Sequence, residues 1–163
     1  MGRLTVRSPA DYSDCLTCAG GRSLARKAAI WMRNNGDSVA IFHVEELLAV
    51  VYLVPDQAGR REFCLVIRPA ARVHIGKLCK LAHSTLKAMA DHGVVVFCRV
   101  MPGNRTGTRM AHLTGFTPAG DEWLFEGVSD AGGEGTVRRR RGQWGCCCQE
   151  RGGEEPAAAG GSE

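Results

Sequence analysis

No apolar run in this chain approaches the roughly 20 residues that a membrane-crossing helix needs, so a helical span is not expected. The opening stretch "MGRLTVRSPADY" lacks the apolar h-region of a secretory leader. Val6 stands where a myristoylation signature needs Ser or Thr. These absences set the expectation of a cytoplasmic protein. No segment recurs at a fixed period, which removes repeat architectures. Cys15 and Cys18 form a lone C-x-x-C without the second pair that a zinc site of this kind requires, so no metal is expected. Charge of one sign is also scarce. The formal net charge is +4, and from Ala131 onward five Arg balance five Glu, so the excess lies upstream. A mild positive balance suits a phosphate-bearing ligand and ordinary solubility alike.

What is present is a chain of 163 residues, 44% hydrophobic and 23% charged, enough for one soluble domain with a sizeable core. Cys64, Cys79 and Cys98 sit inside apolar patterns and read as small buried hydrophobes. Composition breaks near Ser129. The last 33 residues, from Ala131, hold nine of the 21 glycines and almost no branched apolar residue. Such a segment cannot bury enough surface to offset chain entropy. The expected organisation is a folded domain over 1–128 and a disordered tail over 129–163.

Within the domain the pattern alternates. Leu4 to Arg7 reads as a strand, and "SPADY" carries a helix-start signal. A helix from about Ser23 to Asn34 places Leu24, Ala28 and Trp31 on one face, and "NNGD" ends it. Three strands follow, "SVAIFHV", "LLAVVYLV" and "EFCLVIR", with a tight turn at Glu45-Glu46 and a polar loop "DQAGRR". Connections this short demand antiparallel neighbours. The period then changes: Ile75, Leu78, Ala82, Leu86 and Met89 recur every three or four residues, an amphipathic helix capped by Gly93. "VVVFCRVM" is a continuous apolar strand of the kind buried on both faces. In "PGNRTGTRMAHLTGF" a short helix lies between Asn104 and Gly115-Phe116, and "EWLFEGV" closes the fold. The fold class is α/β (α+β), a mixed sheet of about six strands in the order β-α-β-β-β-α-β-α-β, with one strand–helix–strand crossover whose strands are neighbours.

That order resembles the Gcn5-related N-acetyltransferase (GNAT) family. The most specific match is Asn104 after the apolar strand, followed at the family's spacing by Gly115-Phe116, with small Gly107 between. "TVRSPADY" is similar to the family's opening strand and helix. The resemblance covers roughly residues 4–127. It implies an acyl-CoA site between two splayed parallel strands, here Glu62–Arg68 and Val94–Met101. Backbone groups of Val66, Ile67 and Arg68 would then bond the pantetheine arm, with Asn104 beside it. The pyrophosphate would rest on the start of the long helix at Arg72, Ile75, Gly76 and Lys77. Glu62 stands in a region where the family often has its base.

The chain departs from the family's pattern in two respects, the phosphate loop and the acid. Its phosphate loop, Gln/Arg-x-x-Gly-x-Gly/Ala, falls on Ala71 to Gly76, where Ala71 replaces the polar residue and His74 the middle glycine. A side chain at 74 crowds the approach to the backbone, leaving Arg72 and Lys77 to supply charge. The family's acid, a Tyr seven residues after the Asn, is replaced by Ala111, and a methyl group donates no proton. His112 points about 100° away around the helix. Two readings follow from the resemblance. The first is an N-acetyltransferase moving an acetyl group from acetyl-CoA to an amine. The alternative is a non-catalytic structural protein on the same scaffold, similar to the GNAT-like internal virion protein of short-tailed bacteriophages. In that case its partners are other virion proteins and its location the virion interior. Arg138–Arg141 in the tail adds a candidate nucleic-acid contact, and Cys146–Cys148 a thiol cluster open to acylation or oxidation.

Overall fold

Residues 3–126 are described by a computed structural model, and the Arg138–Arg141 and Cys146–Cys148 runs lie outside the described residues. β1 (Leu4–Arg7) leads into α1 (Tyr12–Ala19) and α2 (Ser23–Asn35). Two helices stand where the sequence pattern gives one. Gly20 takes φ +72°, a conformation that other residues adopt only with strain, and α1 stops there. The face that carries Leu24, Ala28 and Trp31 is turned outward. Leu24 and Trp31 are 79% and 58% exposed, while Ala29 is buried and Met32 packs beside it. The cluster beneath is already filled by Cys15, Tyr52 and Val54, so α2 docks through a small side chain.

β2 (Asp37–His43), β3 (Glu46–Pro55) and β4 (Arg61–Ile67) form the antiparallel meander. Its first turn lies at Val44-Glu45, one residue earlier than expected, with Val44 at φ +61°. A 3-10 helix (Pro69–His74) runs into α3 (Ile75–Asp91). Then come β5 (Val96–Cys98), α4 (Arg105–Thr114), β6 (Phe116–Ala119) and β7 (Glu122–Phe125). The seven strands make one sheet in the order β1-β2-β3-β4-β5-β7-β6, antiparallel throughout except for β4–β5. The strand not foreseen is β6. It holds Pro118 at the sheet's edge, where a missing N–H costs no ladder bond, and turns into β7 at Gly120 with φ +67°.

β3 is the central strand and is buried along nearly its whole length because helices cover both faces. On one face α1 and α2 close over Val50, Tyr52 and Val54. On the other, α3 packs on Leu48 and Val51 through Leu78, and α3 and α4 pack on β5–β7 through Leu86 and Ala111. Cys79 and Cys98 are buried, Cys64 is half-buried, and all three are free. The Tyr52 hydroxyl is buried against the Cys15 thiol, and burial, then Cys15, Cys18 and Cys64, push its pKa up. No described helix is long and apolar enough to cross a membrane.

Candidate functional site

β5 has three residues rather than the eight of its apolar run, and the reason creates the site. The parallel register between β4 and β5 holds only Arg61 with Val96 and Glu62 with Phe97. Beyond that point β4 continues to Ile67 along β3, while β5 turns to β7. The Arg61 N–H donates to Val95 O at 2.9 Å on the β5 side, and the Arg68 N–H to Leu48 O at 2.9 Å on the β3 side. Backbone direction alternates along a strand. The N–H and C=O groups of Leu65 and Ile67 therefore face the gap, where no β5 residue is in register with them. Those of Val66 and Arg68 face β3. Of the three residues named for strand-like contacts, Ile67 alone directs its backbone into the gap, and Leu65 joins it.

The gap is a slot of about 260 Å³. One wall is Phe63, Leu65 and Ile67 of β4, and another is Cys98, Arg99 and Val100 at the end of β5. α4 closes it through Asn104, Gly107, Ala111 and Thr114, which recur at helical spacing on one face. That spacing was visible in the sequence, as was the odd-numbered alternation of β4; both are the signals for the slot residues not named there.

Asn104 caps α4: its Oδ1 accepts from the Gly107 N–H at 2.9 Å. A Cβ on Gly107 would stand 2.6 Å from Asn104 Nδ2 and 3.1 Å from Val100 Cγ1, so the small residue is what lets the cap seat. Asn104→Ala is expected to cost about 1 kcal/mol of stability, and Gly107→Ala to lose the cap instead of gaining the usual helix-propensity benefit. Urea unfolding of both variants measures this. At the other end Gly115 takes φ +102°, and Phe116 enters the core 2% exposed. Asn104, Gly107 and Phe116 thus each have a local structural job in addition to bordering the slot, and Gly115 has one at the helix end.

At the entrance to α3, no side chain caps the first turn. Nothing lies within 4 Å of where a Cβ on Gly76 would be, so its packing does not demand glycine and the approach to that turn is open. Arg72 and Lys77 are exposed on either side. The His74 ring lies against that of His43, centroids 4.1 Å apart. Burial, then His43 and Lys77, hold His74 below the ordinary 6.5, with Glu46 opposing. A depressed histidine pKa means that the unfolded chain binds more protons, so this contribution is complete above about 6.5 and falls as pH drops through it. His74→Gln is expected to flatten that part of the profile, read as the difference between the two proteins' unfolding midpoints from pH 7.5 to 5.5.

Glu62 sits where the strands part, on the face opposite Phe63 and Leu65 and shared with Cys64 and Val66. It is not alone there. Arg99 donates to Glu62 at 3.0 Å and to Glu122 at 2.8 Å, and Arg60 donates to Glu122 at 2.9 Å and to Asp56 at 2.8 Å. The Arg60 and Arg99 guanidinium groups lie 4.3 and 5.0 Å from the Phe97 ring centroid. Hydrogen bonding from Arg60 leads in holding the Glu122 carboxyl below its usual range. The pair energies are small at such exposure, but the geometry ties Glu62 to a cation. Cys98 on the slot wall is pushed up to about 12 by burial and Cys64 to about 11, so both stay thiols at neutral pH. Ala111 is 6% exposed on the α4 wall, and His112 lies outside, edge-on to Trp123 at 4.8 Å. The remaining histidines serve structure: His83 Nδ1 is 2.9 Å from Thr114 O, and His92 Nδ1 is 2.7 Å from Ala88 O. Among the described residues no three His, Cys, Asp or Glu side chains are placed to hold a metal ion.

No protein-family model matches the sequence, and a comparison with curated proteins finds no match. Solved structures do match. A Bacillus subtilis acetyltransferase in complex with CoA superposes with a TM-score of 0.56 at 12% identity, over 71% of this chain and 77% of that one. The Campylobacter jejuni N-acetyltransferase PseH, in complex with acetyl coenzyme A, gives 0.53 at 13% identity, over 78% of this chain and 100% of its own. A GNAT-family acetyltransferase from Bacillus anthracis gives 0.53 at 15% identity, over 75% and 90%. Sheet order, splayed parallel pair and these superpositions agree: the chain has the fold of the Gcn5-related N-acetyltransferases.

Proposed function

We propose that this domain, spanning 1–128, binds acetyl-CoA in the β4–β5 slot and passes the acetyl group to an amine. The observation that supports it most is the row of unpaired backbone groups at Leu65 and Ile67, which face the gap. Groups so directed could bond the amides of a pantetheine arm as a neighbouring strand would. The uncapped first turn of α3, open at Gly76 and flanked by Arg72 and Lys77, suits a diphosphate. Bound there, the thioester supplies an activated acyl carbon.

This chain's own contribution is placement. The strand edge fixes the carbonyl, Asn104 borders the pantetheine arm near the slot's outer end, and proximity supplies much of the rate. In the transfer an N–C bond forms and the C–S bond breaks. The nitrogen gives up two protons to solvent, one before it attacks and one from the tetrahedral adduct, and the departing sulfur takes one back from water, because Ala111 offers none. Glu62 serves as base only on releasing Arg99. These two features favour a second reading, a non-catalytic structural protein on the same scaffold, of which a bacteriophage internal virion protein is one instance. Calorimetric titration with acetyl-CoA separates them. Micromolar binding supports the acyltransferase reading, and no binding at millimolar ligand leaves the scaffold.

A further inference from the structure

The slot is graded along its length. At its outer end Asn104 and Thr106 are exposed and Ile67 is 37% exposed. At its inner end Phe116, Thr114, Ala111 and Cys98 are 2%, 3%, 6% and 7% exposed. The outer end adjoins the turn into α3, since β4 finishes at Ile67 and α3 begins at Ile75. A cofactor whose phosphates lie at α3 therefore points its thioester inward, where the strands meet.

The inner end is hydrocarbon. Its walls are Phe63, Ala111, Phe116 and Cys98, and the one hydroxyl there, Thr114 Oγ1, is spent on Met110 O at 2.8 Å. No charged side chain lines that end; Arg99, at the outer end of β5, reaches away to Glu62 and Glu122. Past the cap, the α4 row at helical spacing carries the small residues Gly107, Ala111 and Thr114, with Met110 beside them on the slot wall.

We infer that the inner end of the slot accommodates an acyl chain longer than acetyl, and that Ala111 sets its depth. This rests on the acyl-CoA reading above and names the donor class for it. An apolar end rewards each methylene it removes from water, by roughly fourfold in affinity. The acetyl group leaves most of that end without hydrocarbon contact; butanoyl and hexanoyl groups extend into it.

The test is a calorimetric series with CoA, acetyl-CoA, butanoyl-CoA and hexanoyl-CoA on the full chain. Butanoyl-CoA is expected to bind at least about tenfold tighter than acetyl-CoA. If CoA binds and the series is flat or falls with length, this inference is overturned while the cofactor reading stands. If no member binds, CoA included, the cofactor reading fails and takes this one with it. Ala111→Leu is expected to bring the hexanoyl-to-acetyl affinity ratio close to one, with Ala111→Val as a milder filler should the larger side chain impair folding. An unchanged ratio in a folded variant removes Ala111 from the role. The wild-type series needs no variant at all.

Discussion

Phe116→Ala is expected to cost about 3–5 kcal/mol of stability, a large share of the roughly 5–15 kcal/mol that a domain of this kind has. The ring is 2% exposed and sits between two others, Phe63 and Phe125, each with its centroid 5.6 Å away. The contact with Phe125 is edge-to-face and that with Phe63 tilted, and aromatic pairing of this kind adds to simple burial. Truncation would leave a void between α4, β4 and β7, and it would also open the inner wall of the slot. Urea unfolding of the purified variant checks the figure. A loss under about 1 kcal/mol would mean that the three rings do not form the packed unit described.

Gly115→Ala is the second large effect, about 2–5 kcal/mol. Two independent costs combine. A residue with a Cβ pays about 1–2 kcal/mol to hold a left-handed backbone, and Gly115 sits at φ +102°. The new methyl would also meet His83 Nδ1 at 2.8 Å and Phe125 Cε2 at 3.0 Å, and overpacking of this sort typically adds 1–3 kcal/mol. His83 would have to leave Thr114 O, so its ring resonances should shift in the variant. A Gly115→Ala protein as stable as the parent would show that neither the cap conformation nor the contact constrains this corner.

These expectations bear on how much was legible before any coordinates. The amphipathic period of α3 and the unbroken apolar run of β3 were read correctly because local pattern reports burial on one face or two. The start signal in "SPADY" belonged to a helix of its own, α1, which the sequence reading did not separate from the helix beginning at Ser23. Trp31 and Leu24 mark an apolar stripe, yet stripes do not say which surface they meet, and here Ala29 makes the contact. β5 was overestimated because "VVVFCRVM" carries burial but no record of its neighbour's departure. Glu62 shows the same limit at the site. Its partner Arg99 is 37 residues away, and the Arg60–Glu122 link spans 62. Side-chain partnerships across a crossover have no local signature. The slot residues did have one, the row Asn104, Gly107, Ala111 and Thr114 on a single helix face, whose small members make sense once a cavity is known to lie beneath.

The diverging strands have a further consequence. An unpaired strand edge normally lies at a sheet's rim, where it invites other chains to add on and must be blunted. Here such an edge, at Leu65 and Ile67, is recessed in the middle of the sheet, with α4 on one side and the end of β5 on the other. A chain adding on at the sheet's rim meets β1 or β6 instead. The open valences of β4 thus lie away from the rim where strand addition occurs, left for whatever enters from the side of α4.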